Sequence, residues 1–405
     1  MRWVTGLIAF AATLFACSVI HGARPALLEL SVGDASFQGK VLARNDSYCW
    51  LLDRGGRIEP IKLKSVTSFR RVSSRFRSHA PNIIRSQLLK EFGKSFEVVG
   101  TRHYLVCAVR GRARQYAEIF ESLYRTFHLH FSTRGFEIDE PQFPLVALVF
   151  PDRQNFTEYC ERDGIKASKG LLGYYLMTSN RVALYDAAKE PLAANVPPSL
   201  GHQFKKGPGT IAGSAGHRPK VGRVLGTTVP APSLNHVFAT VQGNLKDTII
   251  HEATHQVAFN TGLHSRIGAH PKWVIEGLAT VFEAPGIRDG SRNRSAKNRI
   301  NRSRYLWFQN FVKTRRRPKS LAEFVGSDAM FQTQVLDAYS EAWALTFYLI
   351  ETRPRKYARL LKTIAERDPL THYSSNQRIE DFKTVFGDNL DFLDADFLRF
   401  IERLK

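Results

Sequence analysis

The sequence predicts an α+β fold, with a small N-terminal β module, a mixed central region and a helical C-terminal part. Three observations carry this expectation. Residues 27–71 alternate polar and apolar positions between turn signals, as half-buried strands do. From Pro81 an amphipathic helix and short, continuous apolar runs follow one another, which reads as strands covered by helices. Beyond Asn244 most of the chain has helical period.

The 405 residues suffice for one large core or two to three smaller ones. A hydrophobic fraction of 43% with 28 Phe excludes a disordered chain. The net charge of +21 and pI near 10.0 imply attraction to polyanions and say nothing about fold.

Taken in order, residues 1–23 read as a signal peptide. Arg2 supplies a positive n-region, Val4 to Ile20 is apolar apart from Thr and Ser, and small residues lie at Gly22 and Ala23. The chain is therefore expected to be exported to the periplasm, the cell envelope or the medium. Leu14-Phe15-Ala16-Cys17 loosely matches a lipoprotein box, and the apolar run is near the ~18-residue spanning threshold. A lipoprotein or an N-terminal membrane anchor thus stays open. Cys17, Cys49, Cys107 and Cys160 have no zinc-cluster spacing. Export permits one disulfide among them without selecting a pair.

Residues 24–75 form the β module, with strands expected near Phe37–Ala43, Ser47–Leu52 and Ile58–Leu63; it resembles the SH3-like barrels appended to bacterial envelope proteins. Ser73 to Ala80 is expected to be a linker. Asn82 to Phe92 is helical, and Arg114 to Phe131 carries Ala117, Phe120, Leu123, Tyr124 and Phe127 on one stripe. Pro144 to Phe150 reads as a buried strand. Gly173 to Met177 and Arg181 to Tyr185 flank a turn and read as a hairpin. Residues 187–232, dense in Gly and Pro, are expected to be a flexible insertion. Helices follow at Asn244–Asn260, Lys272–Ala284, Asn298–Thr314, Leu336–Glu351, Lys356–Arg367 and Leu390–Leu404.

The first of these helices holds His251-Glu252-Ala253-Thr254-His255, an HExxH motif. Residues four apart share a helix face, so both imidazoles aim at one point, with Glu252 beside it. That is the arrangement of two zinc ligands and a general base. Chance alone gives the five-residue pattern in roughly one such chain in a hundred, so context decides. Ala258 and Thr261 stand where the three-histidine metzincin pattern needs Gly and His, which excludes that class. A third ligand is open between His264, His270 and Glu276. Glu276 is favoured because a short loop makes its helix a neighbour of the motif helix, with Gly277 allowing close approach. A His2Glu set leaves a position for water, the layout of a catalytic zinc site with one Zn²⁺ per chain. Two imidazoles and two carboxylates buried together without a metal would be costly.

HEATH followed by Trp273-Val-Ile-Glu-Gly-Leu-Ala-Thr-Val-Phe-Glu283 resembles the gluzincin metallopeptidases of the peptidase MA superfamily. Within that group the chain is similar to uncharacterised exported bacterial HExxH proteins known only as a domain of unknown function. The likeness covers Pro81 to about Leu360, giving a metallopeptidase-like domain over 81–360 and C-terminal helices over 361–405. It implies a thermolysin-like catalytic domain in which His251, His255 and Glu276 are zinc ligands and Glu252 is the general base. It also implies that Arg181, Val182, Ala183, Leu184 and Tyr185 form the cleft-edge strand that pairs with an extended peptide substrate. Tyr339 falls where gluzincins supply a hydroxyl to the oxyanion, and it equally suits a core aromatic beside Trp343 and Phe347. Glu283 suits either an orienting partner of a ligand histidine or a solvated helix end. No Gly-x-Met-Glu-Asn segment precedes the motif, so internal cleavage is expected over aminopeptidase action.

Arg288 to Lys319 is strongly basic, with Tyr305, Trp307 and Phe308 interleaved. Behind an export signal this implies an anionic envelope polymer or a lipid surface, not a specific nucleic acid, and a solvated helix face explains the run equally well. Two functions follow: a zinc peptidase, or a non-catalytic envelope or polyanion-binding protein that keeps the metallopeptidase fold.

Overall fold

A computed structural model describes residues 25–168, 170–186, 245–288 and 295–404, together with the backbone of 237–240. The expected signal peptide and the 187–232 insertion lie outside the described residues. No helix among the described residues is long and apolar enough to cross a membrane.

The N-terminal strands β1 (Leu27–Val32), β2 (Ala35–Arg44), β3 (Tyr48–Asp53), β4 (Ile58–Lys62) and β5 (Ser68–Ser73) form an antiparallel sheet in the order β4-β3-β2-β1-β5. This module does not hang from a free linker. Phe76 is buried against Phe143, and its N–H donates to Pro25 O. Trp50, Ile58 and Phe76 share a cluster with Phe143, Ile267 and Leu370 of the main body. Polar bonds add register, since Ile58 N–H donates to Thr178 O at 2.8 Å and Arg266 Nη2 donates to Gly56 O at 2.8 Å.

The main sheet contains β6 (Phe96–Gly100), β7 (Tyr104–Val109), β8 (Leu145–Phe150), β9 (Gly173–Leu176), β10 (Arg181–Tyr185) and β11 (Val237–Thr240). Its order is β11-β9-β10-β8-β7-β6, with β7, β8 and β10 parallel and the other pairs antiparallel. Helix α1 (Pro81–Phe92) precedes β6, α2 (Ala113–Ser132) carries the chain from β7 to the parallel β8, and α3 (Arg153–Arg162) follows β8. Side chains alternate across the sheet with period two. Val106, Ala147, Val182 and Leu184 join α2 and the motif helix in one core. Cys107, Leu148, Ala183 and Tyr185 join α1 and α3 in the other. Cys49, Cys107 and Cys160 are buried free thiols, so no disulfide forms among the described cysteines.

The strand order corrects one expectation. Arg181 to Tyr185 pairs with β8 on one side and β9 on the other, so it is an interior strand and has no free edge for a peptide. Burial on both faces explains its continuous apolar run, a pattern that edge strands seldom show. Among the described residues, the outermost strand on that side is Val237–Thr240.

The remaining chain is helical: α4 (Leu245–Asn260), α5 (Lys272–Phe282), the short α6 (Pro285–Arg288), α7 (Arg302–Thr314), α8 (Leu321–Gly326), α9 (Met330–Thr333), α10 (Val335–Thr352), α11 (Pro354–Ala365), α12 (Ser375–Phe386) and α13 (Leu390–Glu402). Helices α3 and α12 were not expected. Helix α12 is fixed at its start by a capping box in which Ser374 and Gln377 exchange bonds.

A buried ion triad ties the C-terminal helices together. Arg316 donates to Asp394 Oδ1 at 2.6 Å and to Glu341 Oε1 at 2.9 Å, and all three side chains are almost fully buried. Burial raises the Glu341 pKa to about 7 despite the guanidinium beside it. Removing the cation would leave two buried carboxylates uncompensated. Arg316→Ala should therefore lower unfolding free energy by about 3–5 kcal/mol, measured by urea denaturation; a loss below 1 kcal/mol would show that the triad is not structural.

Candidate metal centre

The motif helix α4 is buried on every side, from Thr248 to Phe259, so it is placed by contacts around its whole circumference and not by one apolar stripe. Gln256 fixes its depth, since Nε2 donates to Val146 O at 3.0 Å and to Asn180 O at 2.9 Å. Gly173 of β9 allows the close crossing, because a Cβ there would lie 2.9 Å from Thr248 Cγ2.

On this helix His251 and His255 turn toward each other, with Nε2 to Nε2 at 3.1 Å and ring planes 86° apart. Glu276, on α5, completes the cluster: its Oε2 lies 3.4 Å from His251 Nε2 and 3.7 Å from His255 Nε2. All three residues are buried, and Glu276 Oε2 has no hydrogen-bond donor. The structure thus brings together the ligand set expected from sequence. His270 is otherwise engaged, with Nε2 accepting from Ser265 N–H and Nδ1 against Gly268 O, and neither it nor His264 joins the converging group.

Gly277 acts differently from the expectation. The close approach it permits is to α10, not to the motif helix: a Cβ would meet Thr346 Oγ1 at 2.1 Å and Ala342 O at 2.6 Å. Tight packing on α10 therefore sets the height of Glu276.

Glu283, immediately after α5, orients His251 from behind. Its Oε1 lies 2.9 Å from His251 Nδ1, while Oε2 accepts from Asn301 Nδ2 at 2.8 Å and lies 3.7 Å from Arg304 Nε. A carboxylate on the far nitrogen fixes the tautomer that leaves Nε2 as a lone-pair donor. Burial disfavours charge on His251, yet without a metal the carboxylates of Glu276 and Glu283 outweigh it and raise the pKa to about 10, so a bound cation would have to displace that proton. Burial and the neighbouring His251 hold His255 well below the usual histidine value. Sequence reading missed Asn301 and Arg304. Asn301 caps α7, accepting from Arg304 N–H, and an Asn ahead of a helical run was the available signal.

Glu252 is fully buried and close enough to His251 and Tyr339 for its charge to act on both. Tyr339 is half-buried on α10 and close enough to Glu276 for that carboxylate's charge to act on it, with its ring edge-on to Phe331 and 5.3 Å beneath the Arg304 guanidinium. It is both a packed aromatic and a hydroxyl at the cluster.

Much of the basic run is paired within the chain, with Arg299 and Arg316 buried and Arg315, Arg317 and Lys319 exposed. Arg299 pairs with Glu351, Arg304 with Glu283, Arg315 with Asp337, Arg316 with Glu341 and Asp394, Arg317 with Glu323, and Lys319 with Asp391. Arg288 donates to the carbonyls of Phe282 and Glu283. Arg292 and Arg294 lie outside the described residues.

Over residues 246–371 the sequence matches the family described as protein of unknown function (DUF1570). That span contains His251, Glu252, His255, Glu276, Glu283 and Tyr339. No curated protein matches the chain.

Adding one methyl at Gly277 forces α5 and α10 apart. Gly277→Ala should cost about 1–3 kcal/mol of stability by overpacking, read from urea unfolding. An unchanged midpoint would show that the helices separate freely and that Glu276 is not held by this contact.

Proposed function

We propose that the chain is a zinc-dependent peptidase of the His2Glu, gluzincin type, hydrolysing peptide bonds in the cell envelope or outside the cell. The observation that supports it most is the donor triangle of 3.1, 3.4 and 3.7 Å. Ligands held about 2.0–2.1 Å from one tetrahedral ion lie about 3.4 Å apart, so the three atoms have the spacing of a zinc site's edge. Two imidazoles and one carboxylate also match the ligand preference of that ion, and the unpartnered Glu276 Oε2 needs a cation.

Bound Zn²⁺ would act as a Lewis acid toward the scissile carbonyl and make water a nucleophile near neutral pH. The residues supply the rest. Glu252 takes one proton from the attacking water and returns it to the leaving amine nitrogen. The Tyr339 hydroxyl donates to the carbonyl oxygen as it gains charge, with Arg304 holding the phenol ring from above. Glu283, Asn301 and Arg304 keep His251 aimed. A peptide in extended form would add to the outer edge of Val237–Thr240, which lies against the motif helix and pairs with no further strand among the described residues.

Zinc content of the purified chain, paired with cleavage of unfolded protein substrates, tests this reading. Wild type should carry about one zinc per chain and cleave. Glu252→Gln should keep the metal and lose about 10²–10⁴-fold in rate. Tyr339→Phe should lose about 10²-fold in kcat, and Glu276→Ala should lose the metal. A wild type without zinc would sink the proposal. Zinc without cleavage of any substrate would put the non-catalytic envelope-binding reading in its place.

The orienting role gives a separate measurement. Glu283→Gln should weaken zinc affinity about 10–100-fold by competition with a chelator, whereas His264→Ala should leave it unchanged. Equal losses would refute the assignment of Glu283.

A further inference from the structure

A broad concave feature away from the metal centre lies where the end of α2 meets the start of α11. It is a groove of about 710 Å³. Its lining includes Arg134, Arg353, Arg355 and Lys356, and contains no carboxylate. Two of the four cations are committed. Arg353 pairs with Asp396, and Arg134 donates to His130 O with Glu351 3.9 Å away. Arg355 and Lys356 are exposed and make no ion pair among the described residues.

The wall contributed by α2 extends this character. Thr133 lines the groove, and Leu129, one turn earlier on the same face, is 61% exposed. Arg125, a further turn back on that face, is exposed and likewise makes no ion pair among the described residues. An exposed leucine one helical turn from the unpaired Arg125 and one turn from the cationic groove is the composition of a surface that meets lipid headgroups and dips into the acyl boundary. A soluble polyanion would use the cations and leave Leu129 unexplained. The flank beyond Gly135 limits the surface, because the adjoining cavity adds Arg359 and Lys362 but also Glu137, Asp139 and Glu366.

We propose that this groove and the α2 face beside it dock the protein on a membrane rich in anionic phospholipid, with phosphate groups at Arg355 and Lys356 and Leu129 inserted between headgroups. This surface is independent of the metal centre and differs from the Arg288–Lys319 run considered from sequence, whose cations are largely paired within the chain.

Co-sedimentation of the full chain with phosphatidylglycerol-containing vesicles tests it, with pure phosphatidylcholine vesicles as the neutral reference. The ratio of the two partition coefficients isolates the anionic contribution from any apolar N-terminal insertion. Each cation near such a surface is worth about 1 kcal/mol, so Arg355→Glu with Lys356→Glu should lower the ratio about 30-fold or more. Leu129→Ser should reduce binding that survives at high salt. Arg71→Glu with Arg75→Glu, the same charge change on the exposed β module, should leave the ratio within a few-fold. All variants alter exposed side chains, and circular dichroism melts should match wild type. Equal losses from the two double variants would overturn the proposal, since attraction would then be spread over the whole +21 chain. An unchanged ratio for the groove variant would overturn it too. Tight binding of soluble polyphosphate without preference for vesicles would assign the groove to a free polyanion instead.

Discussion

Three electron-pair donors on buried residues meet within a few ångströms, and much of the fold is spent holding them there. His251 Nε2, His255 Nε2 and Glu276 Oε2 are each costly to bury alone and repel one another when uncharged by protons. Three separate devices oppose that repulsion. Gln256 and Gly173 set the depth of the motif helix against the sheet. Gly277 lets α5 press into α10, which carries Glu276 to its height. Glu283 braces His251 from behind and is itself braced by Asn301 and Arg304. Because the devices sit on different elements, loosening any one of them moves a different donor.

What could be read from the sequence depended on how far apart the interacting residues lie. The His251 and His255 pair was legible because a helix alone places i and i+4 on one face. Glu276 was legible because one short loop separates its helix from the motif helix. The brace on His251 was only half legible: Glu283 lies 32 residues away, and its spacing suited a solvated helix end as well. Strand order was not legible. Gly173–Tyr185 reads as a hairpin from local turn chemistry, but nothing local says that β8 covers one side of it and that Val237–Thr240 covers the far side of β9. An interior strand was therefore mistaken for an edge.

The basic stretch failed for a related reason. Charge runs are easy to see and their partners are not, since Asp337 is 22 residues from Arg315 and Asp394 is 78 from Arg316. Once paired, Arg299 and Arg316 become buried braces of the helical region, and the exposed Arg315, Arg317 and Lys319 have their charge answered locally. The excess positive charge of the chain must then be sought where cations stand without acids, and the end of α2 with the start of α11 is such a place. Local density of Lys and Arg in sequence and local density on the surface are different quantities in a chain this basic.

The same accounting bears on the metal centre. Glu252, Glu276 and Glu283 bring three carboxylates around two imidazoles, and Arg304 is the neighbouring cation that answers one of them. With both imidazoles neutral, the cluster carries a formal charge near minus two in a buried space. Without a metal, a proton on His251 removes part of that charge, but it occupies the lone pair that points at His255 and leaves the other donors facing each other. A divalent cation would balance the charge and accept from both imidazoles and Glu276 at once. A monovalent ion would leave the cluster negative, and a trivalent one would suit a harder, oxygen-rich set of ligands. Charge, donor chemistry and spacing would therefore all suit the divalent ion proposed, although each is fixed by different residues.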